Sequence, residues 1–141
     1  YREFKKGNFR SVLDMGCGAG LKARYFFENK CRSAELTLID REPVGPLIKK
    51  TFPGAEFFSA NLEDADFTIN RKFDVIICSD VIEHLGNPDS LIKIIKSHLS
   101  RDGILIISTP DRDMRRGKEN IKSPNPDHVR ECNYEEFGEY L

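Results

Sequence analysis

Ser11–Leu21 reads S-V-L-D-M-G-C-G-A-G-L. Val12 and Leu13 form a short apolar run that ends in an acid, Asp14, after which Gly16, Gly18 and Gly20 alternate with Cys17 and Ala19. Glycines at this density predict a turn whose backbone takes positive φ and comes close to a ligand. Lys22 to Lys30 follows as a helical stretch, so the turn sits at a helix N-terminus, where free N–H groups collect. The spacing is G-x-G-x-G. The dinucleotide fingerprint G-x-G-x-x-G/A fails when counted from Gly16, with Leu21 in third place, and fits only loosely from Gly18, through Ala23. By itself such a turn also serves as a tight strand-to-helix connection.

Working outward, apolar runs alternate with helical patterns. Strands are expected at Ser11–Met15, Glu35–Asp40, Ala55–Ser59, Phe73–Ser79 and Gly103–Thr109. The first helix carries Leu21, Tyr25 and Phe26 as its apolar stripe. Pro43 and Pro46 bracket the start of a second, which runs to about Thr51. Asn87-Pro88-Asp89 opens a third that reaches Leu99, with Leu91, Ile92, Ile94, Ile95 and Leu99 inward, and Arg101-Asp102-Gly103 is the turn after it. Val75 to Cys78 is a continuous apolar run, as in a strand covered on both faces, and Ile104 to Ile107 is again apolar. This β-α-β alternation predicts an α/β, doubly wound, mostly parallel sheet with right-handed crossovers. Asp40 then falls at the carboxyl end of the second strand, where ligands sit in open parallel sheets. A carboxylate there can accept both hydroxyls of a ribose.

Four motifs in order carry a family resemblance. V-L-D-M-G-C-G-A-G, L-T-L-I-D-R, F-D-V-I-I-C-S-D-V-I-E-H-L and L-S-R-D-G-I-L-I-I-S-T-P resemble motifs of the class I S-adenosylmethionine-dependent methyltransferases that act on small molecules. The likeness is strong over residues 11–110 and weak over 111–141. It implies a Rossmann-like sheet of order 3-2-1-4-5, S-adenosyl-L-methionine as cofactor, and methyl transfer to an O or N atom of a small acceptor. It also implies a sixth and seventh strand, for which no sequence remains, so the chain reads as one truncated domain spanning 1–141. Carried over position by position, the cofactor residues are Asp14, Gly16, Cys17, Gly18, Gly20, Asp40, Arg41, Asn61, Leu62 and Ser79. Where the family commonly holds an acid against the adenine amino group, this chain has Asn61, whose amide oxygen can still accept.

An oxygen or nitrogen acceptor needs a base, for which histidine is the usual choice. His84 and His128 are the catalytic candidates in that order, and His98, inside the third helix, is expected to be structural. Asp80, Glu83 and His84 stand at i, i+3 and i+4 and share a face if helical. D-x-x-E-H is similar to the E-x-x-E-H of quinone-ring O-methyltransferases, in which a metal is implied, although no metal is assigned here. The loop 111–130 is long enough for a lid or substrate segment. Its Arg112, Arg115, Arg116, Lys118, Lys122 and Arg130 favour an anionic acceptor. Asn133 with Glu136 reads as a capping box that starts a last helix.

The chain has 141 residues, 39% apolar and 32% charged, with net charge −1. That size fits one domain with a sizeable core, and the charge balance points to neither nucleic acid nor a membrane surface. No apolar run has transmembrane length, and Tyr1-Arg-Glu-Phe-Lys-Lys is a polar lead-in. Cys17, Cys31, Cys78 and Cys132 form no C-x-x-C and read as reduced thiols of a cytoplasmic protein. An exposed fifth-strand edge would favour self-association. Two other functions compete. One is a methyltransferase-like binding module without catalysis. The other is a nicotinamide-dependent oxidoreductase, whose Y-x-x-x-K occurs only at Tyr1 and Lys5, far from the expected site.

Overall fold

A computed structural model describes residues 9–30 and 33–141. Tyr1, Lys5, the start of the lead-in and Cys31 lie outside them. Five parallel strands form one sheet in the order β3-β2-β1-β4-β5. They are β1 Ser11–Met15, β2 Glu35–Asp40, β3 Glu56–Ser59, β4 Phe73–Ser79 and β5 Leu99–Ser108. The helices are α1 Leu21–Lys30, α2 Gly45–Thr51, α3 Pro88–His98, α4 Arg112–Arg116 and α5 Tyr134–Tyr140. This is the doubly wound order expected, and it puts the topological switch between β1 and β4.

Successive strand residues face opposite sides of a sheet, and in β1, β2 and β4 both sides are buried, whereas no residue of β3 or β5 is fully buried. Leu13, Ile76 and Cys78 join Leu91, Ile94 and Ile95 of α3 in one apolar layer. Val12, Val75 and Ile77 join Ala23 and Phe26 of α1 and Ile48 of α2 in the other. In α3, Leu91, Ile94, Ile95 and His98 recur at helical spacing and are all buried. His98 is structural, as expected: its Nε2 accepts from Ile69 N–H at 2.7 Å, and its Nδ1 lies 2.7 Å from the Ile94 carbonyl.

Three expectations are corrected. The core stripe of α1 is Ala23 and Phe26, while Leu21 and Tyr25 are 71% and 61% exposed. Leu21 and Tyr25 lie four apart on one face, and the sheet takes the neighbouring face, where the small Ala23 lets the backbone approach. The Arg101-Asp102-Gly103 turn is absorbed into β5, which begins at Leu99 and shifts register between Phe73 and Val75 of β4. Gly103 fits there because a Cβ would stand 3.0 Å from the Phe73 carbonyl. The loop after β5 contains α4, whose N-cap Asp111 accepts from Met114 N–H. The capping box at Asn133 and Glu136 is present.

Candidate functional site

The glycine turn is tied to β2. Gly16 N–H and Cys17 N–H both donate to the Ile39 carbonyl, at 2.8 and 3.1 Å. Gly16, Gly18 and Gly20 all take positive φ, at 70°, 51° and 74°. One residue beyond Ile39, the Asp40 carboxylate accepts from Gly18 N–H at 2.7 Å and from Arg41 N–H at 2.7 Å. The acid thus sits against the turn at the carboxyl ends of β1 and β2.

A cavity of about 620 Å³ opens here, across the carboxyl ends of β1, β2, β3 and β4. Of the cofactor residues inferred from sequence, Gly16, Asp40, Arg41, Asn61 and Leu62 line it, and so does His84. Gly18 adjoins it through Asp40. The structure places the others behind the wall. Asp14 is buried under the turn, with Oδ2 unpartnered. Burial lifts its carboxyl to about 7; Lys22 opposes the shift and Asp40 adds to it. The Cys17 thiol is pushed up to about 12 by burial and by the nearby Asp14 and Asp40 carboxylates. Gly20 packs on Phe52. Ser79 accepts a hydrogen bond from Ser108. The Asn61 amide oxygen already accepts from Glu63 N–H at 3.1 Å.

Sequence reasoning missed Glu63 and Asp127 as lining residues. The lining holds the carboxylates Asp40, Glu63, Asp80 and Asp127 against a single guanidinium, Arg41. Asp80 is paired with Lys22, so the lining keeps three carboxylates against Arg41, an excess of negative charge.

Asp80, Glu83 and His84 do not share a helical face. Ile82–His84 is a single 3-10 turn, and Asp80 precedes it in the left-handed region, at φ 55°. Its carboxylate pairs with Lys22 across the crevice from α1. Glu83 is buried and accepts from Thr109 through Oε2, leaving Oε1 without a partner. His128 takes the place expected of Asp80: Glu83, His84 and His128 bring one ligand-type atom each within 4.8 Å of one another. His128 itself does not line the cavity. It packs edge-on against His84, with ring centroids 4.7 Å apart at 89°.

Residues 111–132 form a strap over this corner. Arg112 N–H donates to the Cys132 carbonyl at its base, and Val129 N–H donates to the Glu83 carbonyl at 2.8 Å. Two of its basic residues are committed to structure, Arg112 to Glu136 and Asp113, and Arg116 to Glu131.

A glycine turn on β1, an acid ending β2 and a cavity at the switch point define a doubly wound α/β protein with its ligand crevice at the carboxyl ends of the strands. Within that class, the chain belongs to the methyltransferase domain family, which matches residues 2–138. It is 32% identical over 112 residues to a ubiquinone biosynthesis O-methyltransferase of Glaesserella parasuis, covering 73% of this chain and 46% of that protein. A protein of the same name in Rickettsia akari is 30% identical over 106 residues, covering 72% and 40%. The chain thus spans under half the length of these relatives. Among solved structures it resembles the plantazolicin methyltransferase BpumL in complex with SAH, with a TM-score of 0.77 at 24% identity over 96% of this chain and 55% of that one. The DhpI-SAM-HEP complex gives a TM-score of 0.71 at 19% identity over 97% and 71%. These two likenesses concern the fold.

Proposed function

We propose that the chain binds S-adenosyl-L-methionine in the 620 Å³ cavity and methylates a hydroxyl oxygen of a small-molecule acceptor. The observation that carries this reading is the Asp40 carboxylate, held by Gly18 N–H at the mouth of the glycine turn. There it would accept from the two hydroxyls of an adenosine ribose. The residues fit the cofactor in two further respects. A Cβ on Gly18 would have nothing within 4 Å, so the turn leaves open space. With Asp80 paired to Lys22, three carboxylates remain against one guanidinium and favour a positively charged sulfonium over a neutral sulfide. The O-methyltransferase names of the relatives support oxygen as the acceptor atom.

When bound, the cofactor supplies a sulfonium methyl whose bond to sulfur breaks, leaving its electron pair on sulfur, as the new bond to oxygen forms. The chain's own work is orientation, worth up to about 7–11 kcal/mol when alignment is good, and removal of the acceptor proton. Leu62 gives an apolar wall to the adenine. His84, at the cavity wall, takes the hydroxyl proton. The strap supplies Asp127 to the same wall and acts as the acceptor-side cover. An anionic acceptor would rely on strap residues other than Arg112 and Arg116, which are already paired.

We read residues 1–141 as one domain working in the cytoplasm, which the free thiols of Cys17, Cys78 and Cys132 fit. Among the described residues no helix is long and apolar enough to cross a membrane. β5 ends the sheet with Ile104 exposed, and that edge is where two copies would pair.

The test is transfer of a radiolabelled methyl group from S-adenosylmethionine to a catechol. His84→Gln should lower kcat by about 100-fold, within the range for loss of a general base, with donor KM unchanged. Full activity in that variant would remove His84 from the chemistry.

A further inference from the structure

Behind His84 the strap holds a carboxylate to which the mechanism so far gives no role. The Glu131 side chain is only 2% exposed. Its Oε1 accepts from Ser123 Oγ at 2.6 Å and from His128 Nδ1 at 2.5 Å, and its Oε2 accepts from Arg116. Burial acts to raise its pKa, but the hydrogen bonds from Ser123, Arg116 and His128 outweigh it and hold the group at about 2. Glu131 is therefore ionised at working pH.

An ionised carboxylate only accepts hydrogen bonds. His128 must then carry a proton on Nδ1, and the neutral ring has its lone pair on Nε2. His84 is fixed in the same way. Its Nδ1 lies 2.9 Å from the Asp127 carbonyl, which also only accepts, so its neutral ring likewise has the lone pair on Nε2. The two rings meet edge to face, and the backbone between them is pinned through Val129 N–H to the Glu83 carbonyl.

We propose that Glu131 is a positioning residue for methyl transfer: it fixes His128 as the Nδ1–H tautomer and seats it against His84, so that His84 keeps its Nε2 lone pair at the cavity. This rests on His84 being the base of the reaction proposed above. In that step the acceptor O–H bond breaks and an Nε2–H bond forms on His84. The proton passes to water once the methylated product has left.

Glu131→Gln keeps the shape and changes the donors. Arg116 can only donate, so the amide carbonyl turns toward it and the amide NH2 toward His128. Nδ1 of His128 must then accept, and the ring converts to the Nε2–H tautomer. Two-bond 1H–15N correlation spectra, recorded where the imidazoles are neutral, read these tautomers directly. The wild type should show both His84 and His128 as Nδ1–H, and the variant should show His128 inverted. In the catechol assay kcat should fall about tenfold or more, as when a reacting group loses its alignment, because the inverted His128 no longer seats His84, while KM for S-adenosylmethionine and Kd for S-adenosylhomocysteine stay unchanged. Glu131→Asp, which keeps an ionised acceptor, should restore most of both.

A purely structural Glu131 would lower thermal stability and donor affinity together and leave the tautomers alone. That result overturns the proposal. So does a wild-type His128 protonated on Nε2, an inverted tautomer with unchanged kcat, or transfer abolished by a chelator and restored by magnesium, since a metal would then own the lone pairs. The spectra need no acceptor. Absence of transfer by the wild type therefore counts against the proposed function, while the spectra still decide the placement of Glu131.

Discussion

Gly18→Ala and Gly20→Ala separate what the glycine turn does for the fold from what it does for a ligand. Both glycines lie in the left-handed region, at φ 51° and 74°, where a side chain costs about 1–2 kcal/mol. Their surroundings differ. A Cβ at Gly20 would stand 2.4 Å from Cε2 and 3.0 Å from Cζ of the Phe52 ring. That ring packs in the layer between the sheet, α1 and α2, and displacing it adds about 1–3 kcal/mol. A Cβ at Gly18 would meet nothing within 4 Å, so only the backbone strain applies. Gly20→Ala should therefore lose roughly twice the stability of Gly18→Ala or more, read by urea unfolding with the same m-value for both. Ligand binding should show the opposite order. The new methyl at Gly18 projects into the open space in front of the turn, where the proposed cofactor would lie, and should weaken S-adenosylhomocysteine by about tenfold or more, which corresponds to about 1.4 kcal/mol. Gly20→Ala, measured well below its unfolding midpoint, should bind nearly as wild type. Unchanged affinity in Gly18→Ala would refute the reasoning, because the cofactor would then not approach this turn.

Two further outcomes follow from single carboxylates. The buried Asp14 carboxyl is raised from its ordinary 3.8 to about 7, so the folded state keeps a proton that the unfolded chain has lost between those values. Stability should fall as pH rises through that window and level off above it, by up to about 4 kcal/mol at 1.4 kcal/mol per unit; Asp14→Asn should flatten the slope in pH-dependent thermal melts, and an unaltered slope would assign it elsewhere. Asp40→Ala should weaken S-adenosylhomocysteine by about 1–3 kcal/mol, the cost of losing a charged hydrogen-bond partner, with unchanged calorimetric affinity removing Asp40 from the ribose site.

Local signals carried the sheet and the turn. β-α-β alternation, glycine spacing and the acid ending β2 are properties of short windows, and the five strands stand where those windows place them, with β3 a residue shorter at its start and β5 longer. The face of α1 was misread because Ala23 is weakly apolar, yet it is the residue that touches the sheet. The site was legible in part, and the missing part is non-local. Nothing near Asp80 in sequence announces that its backbone turns left-handed and sends its side chain to Lys22, 58 residues away. Glu131 reads as one more charge in a charged loop until Arg116, Ser123 and His128 fold around it. His128 stands out as a candidate base, whereas Glu131, which accepts from it, stands three residues further on with no signal of its own. Such hubs leave no periodicity, because their members come from a strap whose path is set by tertiary contacts.

The most direct test of the central claim is calorimetric titration of the protein with S-adenosylhomocysteine and, in parallel, with NAD. The account predicts saturable binding of the sulfur nucleoside at one site, abolished or strongly weakened in Asp40→Ala, and none of the nicotinamide cofactor. Binding of NAD in preference, or of neither nucleoside, would contradict it.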